Sequence, residues 1–135
     1  MSKFIKRIQK ATKKNIHNCV VVGSNSESFK NIVDGFSTVF CINWQETLPK
    51  NKNIIPIRDS GYLQDRSEID VIFINQGFDE NTLQFITPLS KRSAPIILLN
   101  DNTVLSPEYI RFFNRIKYEM IVIIDQYQIW KQIRK

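Results

Sequence analysis

The sequence predicts an α/β fold: a three-layer sandwich whose mainly parallel sheet lies between helices and closes with an antiparallel C-terminal strand pair. Three observations predict it. Short apolar runs rich in β-branched residues recur along the chain, stretches with helical spacing or capping signals separate most of them, and only Asp125-Gln126-Tyr127 separates the last two. Alternating strands and helices require right-handed crossovers and a sheet covered on both faces. A connection as short as the last one joins antiparallel neighbours instead. The 135 residues read as a single domain, 1–135, because a chain of this size closes one core without a staple.

Taken in order, residues 2–16 read as an amphipathic helix within a basic N-terminal segment, 1–17. Phe4, Ile5, Ile8, Ala11 and Ile16 fall near one stripe, the pattern of a helix docked on a core. Cys19 to Val22 is a buried strand ending at Gly23. Ser24 and Glu27 have the spacing of a capping box, and Phe29, Ile32, Val33 and Phe36 mark the helix that follows. Thr38 to Ile42 is the second strand. Ile54 to Ile57 is the third, placed at a sheet edge by Pro56, which cannot donate to a ladder on both sides. Ile69 to Ile74 and Pro95 to Leu99 are the fourth and fifth, with a helix over Asn81 to Leu89 between them. Ser106-Pro107-Glu108 opens another helix, with Ser at the cap and Pro at the first helical position. Met120 to Ile124 and Gln128 to Ile133 close the sheet.

Composition narrows the function classes. Hydrophobic residues make up 42% and aromatic residues 11%, values of a globular protein. No apolar run approaches the roughly 18 residues of a membrane span, and the N-terminus lacks the apolar core of a signal peptide, so a cytoplasmic protein without membrane contact is expected. Cys19 and Cys41 sit in strand-like runs and read as buried free thiols of a reducing compartment. The net charge of +6 is concentrated: Lys3, Lys6, Arg7, Lys10, Lys13 and Lys14 precede any acidic residue, and the remaining 13 basic residues match the 13 acidic ones. Such a segment either contacts phosphate, as in nucleic acid, or an acidic partner, or is a solvated helix face.

In sheets of this kind ligands bind beyond the carboxyl ends of the strands, where the strand order reverses. Five polar segments follow the first five strands: Gly23-Ser24-Asn25-Ser26, then Asn43, Asp59-Ser60, Asn75 and Asn100-Asp101-Asn102. They are expected to meet on one rim. The first precedes a helix N-terminus, which suits an anion or a cofactor tail. Its single glycine also fits an ordinary capped turn. Asn43 lies 20 residues beyond Gly23, where dinucleotide-binding folds place a carboxylate for a ribose hydroxyl.

With these residues in place, the chain resembles the class I S-adenosylmethionine-dependent methyltransferases, a Rossmann-like family. The resemblance covers nearly the whole order of elements. It is strongest in the segment IDVIFINQGFDENTLQFITPLSKRSAPIILLNDNTVLSPEYIRFFNRI, which is similar to the corresponding region of small-molecule O-methyltransferases. It implies methyl transfer from S-adenosylmethionine to a small-molecule substrate. Gly23, Ser24, Asn25 and Ser26 would border the methionine part of the cofactor, Asn43 the ribose, and Asp59 and Ser60 the adenine, with Asn75 on the same rim. In the metal-dependent members, the positions of Asn75, Asp101 and Asn102 hold magnesium. The sequence departs from the family in its reduced glycine loop, its missing ribose acid and its missing first metal acid. A catalytically inactive subunit that binds a protein partner or nucleic acid is the alternative. A phosphoacceptor receiver-like domain fits less well, since the first strand lacks an acidic pair.

Overall fold

The computed structural model describes residues 3–22, 36–42, 54–57, 69–74, 86–91, 93–100, 107–125 and 127–133. Helix α1 (Lys3–Thr12) leads into strand β1 (Asn18–Val22), followed by β2 (Thr38–Ile42), β3 (Ile54–Ile57) and β4 (Val71–Ile74). A helical segment over 86–91, α2, precedes β5 (Ile96–Asn100). Helix α3 (Pro107–Arg115) then leads to β6 (Tyr118–Ile124) and β7 (Tyr127–Gln132). The seven strands form one sheet in the order β3-β2-β1-β4-β5-β7-β6. All pairings from β3 to β5 are parallel, and β7 is antiparallel to both of its neighbours. The expected edge position of the Pro56 strand and the antiparallel closing pair are both present.

The parallel strands are apolar on both faces, so successive residues enter two different cores. Cys19, Val21, Val39, Cys41, Val71, Phe73, Ile96 and Leu98 pack with Ile5 and Ile8 of α1. Val20, Phe40, Ile72, Ile74, Ile97 and Leu99 pack with Ile86 and Leu89 of α2 and Phe112 and Phe113 of α3. Among the described residues, α1 thus packs with one of these cores and α2 and α3 with the other. Each fully buried aliphatic or phenylalanine side chain contributes about 1.5–3 kcal/mol. Phe113 stacks on Trp130, with centroids 4.4 Å apart and planes 17° apart.

Helix α1 ends earlier than its apolar stripe suggests. Lys13 adopts φ 57° and its N–H donates to Gln9 O at 2.8 Å, a left-handed cap normally made by glycine. The Lys131 ammonium donates to the Thr12 carbonyl at 2.9 Å, meeting the negative end of the helix dipole. Ile16 is buried beyond the helix, in the lead to β1.

Strand β6 forms one border of the sheet. Its register with β7 shifts between Met120 and Val122, so Ile121 is an extra residue in the strand. Tyr118 accordingly packs in the α3-side core, whereas Val122 and Ile124 pack on the α1 side.

Candidate functional site

The strand order reverses at β1: the chain passes from β1 outward to β2 and β3, then returns to lay β4 on the other side. The carboxyl ends are in register across this reversal. Val22 lies opposite both Ile42 and Ile74, Ile42 opposite Ile57, and Ile74 opposite Leu99. Five parallel strands thus end on one border about 19 Å long, taking the usual spacing of about 4.8 Å per strand. The side chains of Val22, Ile74 and Leu99 are buried just beneath it. The border therefore has an apolar floor.

Gly23, Asn43 and Asn75 directly follow Val22, Ile42 and Ile74 in the chain, and Asp101 follows Asn100. These four, together with Ser24, Asn25, Ser26, Asp59, Ser60 and Asn102, lie outside the described residues. Asn100, expected in the loop after the fifth strand, is instead the last residue of β5 and lies opposite Tyr127. Among the described residues no group of three or more His, Cys, Asp or Glu could hold a metal ion.

The opposite, amino border is tied together by residues that sequence reading passed over. Asp70 Oδ2 accepts from the backbone N–H groups of His17 and Asn18 at 2.9 and 3.1 Å. The Tyr118 hydroxyl donates to Pro95 O at 2.7 Å. Sequence reading gave no signal for it, because Lys117 and Glu119 flank it. Cys19 and Cys41 are free and buried, as expected. Burial raises the Cys19 thiol pKa, helped by Cys41 and Asp70, and pushes Cys41 up to about 12. Such thiols stay protonated and are poor nucleophiles.

The six basic residues of the N-terminal segment separate into two groups. Arg7 pairs with Asp125 at 2.9 Å, and Lys14 donates to the carbonyls of Ser93 and Ala94 at 3.2 and 3.1 Å. Lys3, Lys6, Lys10 and Lys13 are exposed. At the C-terminal end of α1 lies a cleft of about 670 Å³, lined by Lys13, Lys14, Lys131, Glu119 and the apolar side chains of Ile96, Ile121 and Ile133, among others. It belongs to the amino border, away from the aligned strand ends.

Comparison with solved structures finds a similar fold in two proteins. The chain is similar to a provisionally assigned type 11 methyltransferase from Sulfolobus solfataricus, with a TM-score of 0.64 and 13% identity over 96% of this chain and 92% of that one. It is also similar to a provisionally assigned S-adenosyl-L-methionine-dependent methyltransferase from Methanococcus maripaludis, with a TM-score of 0.56 and 11% identity over 95% and 82%. No family model and no curated protein sequence matches the chain. The likeness is one of fold: a methyltransferase-like α/β sheet. Among the described residues no helix is long and apolar enough to cross a membrane.

Proposed function

We propose that this protein is a Rossmann-like three-layer sandwich that binds S-adenosylmethionine at the carboxyl border and transfers its methyl group to a small molecule. One observation carries the reading. The strand ends of β3, β2, β1, β4 and β5 are aligned across the reversal of strand order, in a sheet that matches a methyltransferase over 96% of the chain. When bound, the cofactor supplies an electrophilic methyl group on a sulfonium. The polar segment from Gly23 to Ser26 would hold the methionine part, Asn43 the ribose hydroxyls, and Asp59 with Ser60 the adenine, with Asn75 closing the rim. The apolar floor under β1 and β4 would keep water from beneath the cofactor. Magnesium fits poorly: Asn75 and Asn102 offer amides and only Asp101 a carboxylate, whereas this cation is held through carboxylates and dehydrates reluctantly. Two buried free thiols suit a reducing, cytoplasmic setting.

An amide at Asn43 gives up the charge assistance of a carboxylate, which costs about 1–1.5 kcal/mol, or roughly five- to tenfold in affinity. Calorimetry with S-adenosylmethionine should therefore show weak binding that Asn43→Ala and Asp59→Ala each reduce further. Binding that neither substitution changes, or no binding at millimolar cofactor, overturns the reading.

A further inference from the structure

We infer that the outer face of α1 is a docking surface for the phosphate backbone of nucleic acid. Ile5, Ile8 and Thr12 are buried. At 100° per residue, Lys3, Lys6, Arg7 and Lys10 fall on the opposite side of the helix, and Lys13 extends the row beyond its end. Arg7 is paired with Asp125, which leaves Lys3, Lys6, Lys10 and Lys13 as the row. The segment holds no acidic residue. Helix stability does not account for this arrangement, because Lys3 and Lys6 lie in the first turn, at the positive end of the helix dipole, where cations are unfavourable. Packing does not account for it either, since Lys3, Lys6, Lys10 and Lys13 are exposed. A polyanion satisfies both.

The row runs from one border of the sheet to the other. Phe4 packs on Tyr127, with centroids 5.5 Å apart, and Tyr127 pairs with Asn100 at the carboxyl border. Thr12 meets Lys131 on the amino side, where Lys13, Lys14 and Lys131 line the cleft together with Glu119. Ten helical residues span about 15 Å, with a cation roughly every turn. The apolar face of α1 is used in the core, so none is left to insert into a lipid surface. The one aromatic ring on α1, Phe4, packs against Phe73 and Tyr127, leaving no platform there for base stacking. Recognition is therefore by phosphate alone and independent of sequence. It stands apart from the cofactor reading, as it uses no residue of the carboxyl-border loops.

Fluorescence anisotropy with a labelled DNA duplex of arbitrary sequence tests this. Four neutralised phosphates give a slope of log K against log salt of about −4. The Lys6→Gln/Lys10→Gln/Lys13→Gln variant should keep its melting temperature and lose roughly three units of that slope. An unrelated duplex should bind equally. No binding at 50 mM salt, a slope unchanged in the variant, or equal affinity for polyglutamate overturns the proposal, the last by assigning the face to acidic proteins.

Discussion

Asp70 holds the start of β1 through Asn18: its carboxylate accepts the Asn18 N–H at 3.1 Å while its own N–H donates to the Asn18 carbonyl at 3.0 Å. The same carboxylate takes the His17 N–H. Hydrogen bonds to a charged group contribute about 1.5–3 kcal/mol. Asp70→Ala should lower urea-derived stability by about that amount, and Asp70→Asn, which keeps an acceptor, by less. Equal loss in both variants would mean that the carboxylate charge alone matters.

The stacked rings of Phe113 and Trp130 join α3 to β7 across the antiparallel part of the sheet. Trp130→Ala should cost about 3–5 kcal/mol, the range for large aromatic truncations in cores. Trp130→Phe should restore much of it. Near-ultraviolet circular dichroism and chemical denaturation together read this out.

Alkaline pH should destabilise the fold. The native pKa values of Cys19, Cys41 and Tyr118 are raised by burial, whereas a thiol in the unfolded chain ionises near pH 8.5. The native state thus keeps protons that the unfolded state releases. This contribution is complete below about pH 8 and is lost as pH rises toward the Cys41 value of about 12. Each such group steepens the fall by up to about 1.4 kcal/mol per pH unit. Denaturation of the native chain and of Cys41→Ala between pH 7 and 10.5 should show a shallower decline in the variant.

Much of this fold was legible because its strands are buried on both faces and so appear as uninterrupted apolar runs. Thr38–Ile42 and Ile54–Ile57 are strands over the expected residues, and Pro56 marks the edge strand. The differences arise where a side chain or a cap overrides the pattern. β4 starts at Val71 rather than Ile69, since Asp70 is engaged with the start of β1. β6 starts at Tyr118 rather than Met120, because alternating charged and aromatic residues at 117–119 hide a strand whose tyrosine is buried. α1 stops at Thr12 rather than Ile16, as Lys13 takes a left-handed turn without the usual glycine. Of the candidate site, the register gives the alignment of the strand ends, whereas the polar residues expected to follow them lie outside the described residues. The roles of Asp70 and Lys131 were not legible, for both act on backbone groups more than 50 residues away.

The extra residue Ile121 bears on how the protein behaves at high concentration. A border strand carrying Met120, Ile121 and Ile123 exposed would, if regularly pleated, be a template for adding strands from other molecules. The irregularity interrupts its outward row of backbone donors and acceptors. Removing Ile121 would leave Met120, Val122, Ile123 and Ile124 each on the face it already occupies while straightening the strand. The shortened chain should therefore fold but form ribbons or precipitate at lower concentration, as light scattering would show. One surplus isoleucine outside the buried core is thus expected to set the concentration at which the protein stays dispersed.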